Sequence, residues 1–179
     1  MSYNETKCGL NTQNDLILSI LKNFYYENDY EKLDIIIPII NGHSQISLRL
    51  IDWFVTNYSK KFFTTYKVND KRFQVYTEYR LKLKAYKKKR FDPFCRWDRI
   101  NFPYKNDLHI LTTIGQLNFF QWALNNNIIE YIKCNKDIIE QDMNNRNNIS
   151  TRKNMDTETK SSNKTRKKRS ELSVSATKT

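Results

Sequence analysis

The chain has 179 residues, with 31 Lys and Arg against 19 Asp and Glu, for a formal net charge of +12. That length suits one domain of ordinary size, and counts of three Gly and three Cys exclude collagen-like and disulfide-scaffold classes. No apolar run approaches the roughly 18–20 residues of a membrane span, and Asn4, Glu5, Lys7, Asn11 and Asn14 break any early apolar stretch, so neither a span nor a signal peptide is expected.

Residues 1–11 read as a flexible N-terminus. Asn14 then caps a helix whose apolar residues Leu16, Ile17, Ile20, Leu21 and Phe24 recur at helical spacing. Leu33–Ile40 is rich in β-formers but contains Pro38, which suits an edge strand or extended segment. After a turn at Asn41-Gly42, Ser44 or Ser47 opens a helix with Leu50, Ile51, Phe54, Val55 and Tyr58 on one face. Phe62–Val68, the turn at Asn69-Asp70, and Lys71–Tyr76 predict a β-hairpin.

Tyr76–Arg90 alternates like a strand at Leu81, Leu83 and Ala85, yet Tyr79, Leu83, Tyr86 and Arg90 fit one helical face. Lys-rich sequence without Gly favours the helix, ended by Asp92-Pro93. Trp97–Tyr104 predicts a short strand stopped at Pro103. Thr113 and Gln116 match a capping box ahead of Leu117, Phe120, Trp122, Ala123 and Leu124. Asn127–Glu130 restarts a helix through Ile132 and Ile138–Ile139. Helices around a small β-hairpin make the fold α+β, a single globular domain over residues 12–140. From Gln141 to Thr179 the apolar content collapses. Such a segment buries too little apolar surface to offset an ordering entropy of roughly 1–2 kcal/mol per residue, and a disordered basic tail is expected.

The charge is concentrated. Residues 1–59 carry a net −3, residues 60–105 a net +11, residues 106–140 a net −2 and residues 141–179 a net +6. Abundant Asn (21) and Ile (18) beside scarce Ala and Gly reflect AT-rich coding, which also inflates Lys. Coding bias would spread the charge evenly, so its concentration points to a polyanion partner. Thirteen of the 24 aromatic residues fall between Tyr58 and Lys105, interleaved with the basic block. Lys60, Lys61, Lys67, Lys71, Arg72, Arg80, Lys82, Lys84, Lys87, Lys88, Lys89, Arg90, Arg96 and Arg99 suit a phosphate backbone. Exposed Tyr66, Tyr76, Tyr86 or Trp97 would stack on unpaired bases. The competing reading is an aromatic core beneath a solvated basic face. In the tail, Arg166, Lys167, Lys168 and Arg169 form a cluster that reads as an electrostatic arm or a nuclear-import signal, and Leu172, Val174 and Ala176 alternate like a strand-adding peptide.

Catalytic signals are sparse. Cys95 sits among Arg90, Arg96 and Arg99, which would favour its thiolate, but His43 and His109 are the only candidate bases and neither lies in a recognised motif. Asp92 reads as a turn-former or Arg partner. Cys8, Cys95 and Cys134 lack metal-ligand spacing, Glu78-Tyr-Arg80 only partly matches a nuclease E-x-K, and Gly9, Gly42 and Gly115 are isolated, so no phosphate loop is expected. Trp53 and Trp122 read as core anchors, Gly115 as a close-packing position, and Gln116, Asn118 and Gln121 as a polar helix face. No metal, cofactor or catalytic residue is assigned.

Three stretches also resemble a known family. Ile46–Lys61 (containing Leu-Ile-Asp-Trp-Phe-Val), Arg90-Phe-Asp-Pro-Phe-Cys-Arg96, and Thr112–Ala123 (containing Ile-Gly-Gln-Leu-Asn-Phe-Phe) are similar to blocks of an uncharacterised protein family of nucleocytoplasmic large DNA viruses, mimivirus-like ones especially. The resemblance covers roughly residues 35–132, with Lys167–Lys178 similar to that family's tails. It implies a viral origin and a place in the host cytoplasm, at the virus factory, or in the virion, and it brings no activity and no catalytic residue. The expectation is a non-enzymatic protein that binds DNA or RNA in viral transcription, genome handling or factory organisation. The alternative is a virion or factory scaffold that meets an acidic viral protein through its tail. No membrane partner is expected.

Overall fold

A computed structural model of the chain describes residues 12–105 and 108–146. The first helix, α1 (Gln13–Tyr26), is capped by Thr12 and not by Asn14. Thr12 Oγ1 accepts from the Asp15 N–H at 3.2 Å, and Asp15 Oδ2 accepts from the Thr12 N–H at 3.0 Å. This reciprocal box needs an acidic residue three positions on, which Thr12 has and Asn14 lacks. Ile17, Leu21 and Tyr25, four apart, form its buried face.

The strand expected at Leu33–Ile40 is a helix, α2 (Glu31–Ile40). The Ile run fits either period locally. Packing decides for the helix because Leu33, Ile36 and Ile39 then share one buried face. Pro38 falls in the last turns, and its carbonyl accepts from the N–H groups of His43 and Ser44 as the chain reverses. The turn at Asn41-Gly42 forms as expected, with Gly42 at φ +75°. Of the two candidate caps, Ser47 opens the next helix, its Oγ accepting from Leu50 N–H at 3.1 Å. That helix, α3 (Leu48–Trp53), passes through a π-helical turn (Phe54–Tyr58) into α4 (Ser59–Lys61), burying Leu50, Ile51, Phe54 and Val55.

The first hairpin pairs β1 (Thr65–Val68) with β2 (Lys71–Gln74) in antiparallel register, Val68 opposite Lys71. Asn69 and Asp70 both take positive φ, the backbone a two-residue hairpin turn requires. Phe62–Thr64, expected in the strand, form the bend that precedes it. Next comes α5 (Val75–Tyr86). It stops at Lys87, five residues before Asp92, because Lys87 turns to φ +60°. A second hairpin joins β3 (Arg99–Pro103) to β4 (His109–Thr113). β3 was legible in the sequence. β4 was not, because Leu111 faces solvent while Thr112 and Thr113 are buried, the reverse of the usual alternation.

At the centre lies α6 (Ile114–Asn125), with buried residues on every side from Gly115 to Phe120. It packs on α1, where the buried Tyr25 hydroxyl donates to the Leu117 carbonyl at 2.8 Å and burial pushes the phenol well above its ordinary pKa. α7 (Ile128–Cys134) and α8 (136–146) complete the described chain. The helix runs past the boundary expected at residue 140. Met143 is buried, and Asp142 accepts from the Trp53 indole at 3.1 Å and from Lys61 at 2.5 Å. The remainder of the expected tail, and the expected N-terminal segment 1–11, lie outside the described residues. Two small antiparallel sheets among helices make the fold α+β. Among the described residues, no helix is long and apolar enough to cross a membrane.

Candidate nucleic-acid interface

Helix α5 turns one face to solvent. Tyr76, Arg80 and Lys84 recur every four residues on it, roughly 6 Å apart along the axis at the α-helical rise. Lys60, from α4, extends this row at its start, with Nζ 5.6 Å from the Tyr76 ring centroid. Lys87 and Lys88 extend it past the helix end, and both are exposed. Among the described residues, no carboxylate lies within ion-pair distance of Lys60, Arg80, Lys84, Lys87 or Lys88. Between residues 71 and 90 the sequence holds nine Lys and Arg to one acidic residue, Glu78, and the helix places Glu78 away from this row. Cations left unneutralised along a ridge form the surface that releases counterions from a phosphate chain.

The ridge ends in a tight basic turn, a 3₁₀ segment over Lys88–Arg90. Lys87 holds φ +60° and ψ 164°, a conformation glycine prefers and which costs a side-chain-bearing residue about 1–3 kcal/mol. The surrounding structure enforces it. Asn118 Nδ2 donates to the Arg90 carbonyl at 2.8 Å, Arg90 Nε donates to Asn14 Oδ1 at 2.6 Å, and the Asp92 N–H donates to the Gly115 carbonyl at 3.2 Å. Gly115 is needed for this approach, since a Cβ there would meet the Lys89 carbonyl oxygen at 2.9 Å and the Phe91 nitrogen at 3.3 Å. The expected close-packing role of Gly115 thus has its partner, the backbone of the basic turn. Gly115→Ala is expected to lose about 1–3 kcal/mol of stability, overpacking outweighing a helix-propensity gain of about 1 kcal/mol. A urea titration reads this as a lower midpoint at unchanged slope.

The other expected contact residues disperse. Lys89 pairs with Asp98 at 2.7 Å and Lys61 with Asp142 at 2.5 Å. Lys67, Lys71 and Arg72 stand exposed on the first hairpin, and Arg99 opens β3. Lys82 leaves the ridge for a polar groove of about 280 Å³ between α5 and α6, shared with Glu78, Gln121 and Asn125. Arg96 serves the fold. Its guanidinium grips Asp92, which is 2% exposed, through two hydrogen bonds of 2.8 Å, and Asp92 Oδ1 also accepts from the Phe94 N–H. Asp92 is therefore both the turn-former and the Arg partner its context suggested. Arg166, Lys167, Lys168 and Arg169 lie outside the described residues.

The aromatic residues divide. Tyr66 is committed to the core side, its ring stacked on Tyr131 at 5.0 Å and its hydroxyl donating to the Asn126 carbonyl; burial raises its phenol pKa. Tyr86 is half-buried and stacks on Phe91. Trp97 is exposed beside Lys89 and Arg90. Sequence reasoning overlooked Phe62 and Phe63, which are 50% and 74% exposed directly after Lys60 and Lys61. The available signal was their position between a basic pair and the first strand, but hydrophobicity alone assigned them to the hairpin.

Trp122 is a core anchor among Phe73, Tyr79, Phe91 and Phe119. Trp53 is half-buried with its indole on Asp142. Gln116 ties the Pro93 carbonyl and the Thr112 hydroxyl to α6, Asn118 holds the basic turn through the Arg90 carbonyl, and Asn118 and Gln121 of the polar trio line the groove. Glu78 and Arg80 sit on different faces of a helix, where the nuclease pattern needs a strand. Cys95 is half-buried and Cys134 exposed, both as free thiols, while Cys8 lies outside the described residues. Among the described residues, no three His, Cys, Asp or Glu gather to hold a metal ion.

A family of unknown function, DUF7197, matches residues 2–178. An uncharacterized protein of Acanthamoeba polyphaga mimivirus, L507, is 45% identical over 128 residues, which are 66% of this chain and 49% of that protein. The chain thus spans about half the length of the curated relative it matches. No solved structure matches.

Proposed function

We propose that this viral chain, which belongs to the DUF7197 family, is a non-enzymatic nucleic-acid-binding protein acting in viral transcription, genome handling or virus-factory organisation. It works in the host cytoplasm or the virion. The observation that carries the reading is the set Lys60, Arg80, Lys84, Lys87 and Lys88, running from α4 along the exposed face of α5 to a strained turn, with no carboxylate within ion-pair distance among the described residues. Surface charge that served only solubility would need no such enforcement. The ridge supplies the main polyanion contact, and the cluster Arg166–Arg169 adds a weaker, salt-sensitive arm.

The test is titration of the full-length protein, and of a full-length variant with Arg166, Lys167, Lys168 and Arg169 changed to Ala, against single-stranded RNA, single-stranded DNA and duplex DNA. Measured at about 50 and 200 mM salt, binding through several phosphates should fall by orders of magnitude. Binding that survives the tail substitutions supports the ridge as the main site. Absence of binding to all three ligands at 50 mM overturns the reading and turns the search to an acidic viral protein partner.

A further inference from the structure

We propose that Phe62 and Phe63 form a stacking platform for unpaired bases at the α4 end of the cation ridge, so that the ligand is single-stranded. This rests on the nucleic-acid reading above. Phe63 is the residue that folding explains least. It holds φ +49°, a left-handed backbone that is uncommon for any side chain but glycine or asparagine and an outlier for a bulky one. It is 74% exposed, so little apolar burial offsets that cost. Among the described residues its ring has no aromatic partner, whereas Phe62 leans on Tyr58 at 4.6 Å. Asn or Gly would suit the position better on every ground internal to the fold.

The bend is built to hold that shape. Thr65 Oγ1 donates to the Phe63 carbonyl at 3.0 Å, and the Thr64 N–H donates to the Ser59 carbonyl at 3.2 Å. The platform is also continuous with the ridge, because Lys60, two residues before Phe62, sits over the Tyr76 ring that heads it. Lys61 Nζ lies 4.6 Å from the Phe62 ring centroid. Lys61 is held by Asp142, so the charge for a phosphate comes from Lys60 and the ridge. Exposed rings beside such cations match a nucleotide, whose base offers a π-face and whose phosphate offers the charge. A duplex keeps its bases stacked inside and gives such a ring nothing to meet.

Full-length protein is titrated with labelled single-stranded and duplex oligonucleotides and with vesicles of phosphatidylserine and phosphatidylcholine, beside Phe63→Asn, Phe62→Ser and Phe63→Tyr variants. Phe63→Asn is expected to melt at or above the wild-type temperature while binding single strands roughly 5- to 100-fold more weakly. Its salt slope should be unchanged, because no phosphate contact is lost, whereas removing a ridge lysine lowers that slope. Phe63→Tyr should retain binding. Crosslinking to 5-iodouracil-substituted single strands should map to Phe62 or Phe63. If wild type binds oligonucleotides and Phe63→Asn binds them equally well, the platform is overturned while the nucleic-acid reading stands. Loss confined to vesicle binding overturns it in favour of a membrane surface. Failure of wild type to bind any oligonucleotide overturns both.

Discussion

Arg96→Ala should destabilise the protein by about 1–3 kcal/mol, since it leaves a buried carboxylate without its counter-charge but removes a guanidinium that is itself 57% exposed and screened by water. Asp92 is 2% exposed and holds the guanidinium through both carboxylate oxygens, so the variant strips a buried carboxylate of two charge-assisted hydrogen bonds that water can replace only in part. Asp92→Ala with Arg96→Ala should lose less than Arg96→Ala alone, since the double variant buries no charge, although the Phe94 N–H then lacks its acceptor. The loss should also depend on pH. Half-buried Asp52 has a carboxyl held above the usual range, first by burial and then by the charge of Asp92, with Arg96 and, more weakly, Lys88 opposing both. A carboxyl whose folded pKa exceeds its unfolded value is better tolerated when protonated, so its contribution to stability falls as pH rises through that pKa. Without Arg96 the larger part of that opposition is gone and only Lys88 remains, so the variant's deficit should be larger at pH 7 than at pH 4.5. Urea midpoints at the two pH values measure this, and an equal deficit at both would refute the coupling.

The second large effect concerns binding. Lys87→Glu, Lys88→Glu and Lys89→Glu together should weaken single-strand binding on the order of 100-fold near 100 mM salt and lower the salt slope by about 1.4, as the two ridge contacts of Lys87 and Lys88 at roughly 0.7 each imply, Lys89 being paired with Asp98. Thermal unfolding should stay near wild type, because all three side chains are exposed and only Lys89 is ion-paired, to Asp98. Arg90 is left in place because its guanidinium bonds to Asn14 and its carbonyl accepts from Asn118, so a loss there would mix folding with binding. Unchanged affinity in the triple variant would remove the basic turn from the interface and leave the ridge on α5 alone.

These two experiments separate cations that read alike in the sequence. Arg96 and Lys88 sit in one basic block, eight residues apart, and both are exposed, yet one grips a buried carboxylate and the other has none within ion-pair distance. No local pattern distinguishes them, because the difference lies in Asp92. That carboxylate becomes buried only when its N–H docks on Gly115 at the start of α6. The contact joins segments more than twenty residues apart in the chain.

Local chemistry by itself determined a good deal. Ser47 and Thr113 carry hydroxyls ahead of apolar helical spacing and cap as their sequence requires. Asn69-Asp70 tolerates the positive φ of a tight hairpin, which set the register of β1 and β2. The concentration of charge in residues 60–105, the α+β class and the kinship with mimivirus-like proteins were legible without coordinates. Tertiary structure alone decided the rest. The Ile run at 35–40 satisfies helix and strand locally, and only the common burial of Leu33, Ile36 and Ile39 chooses the helix. β4 hides its period because the rest of the fold buries its threonines and exposes Leu111. The left-handed turns at Phe63 and Lys87 go against residue preference; the one at Lys87 is held by long-range hydrogen bonds to Asn118 and Asn14, the one at Phe63 by bonds within its own bend. At Phe63, 74% exposed, little apolar burial accompanies the conformational cost, and this is the position proposed to meet a ligand.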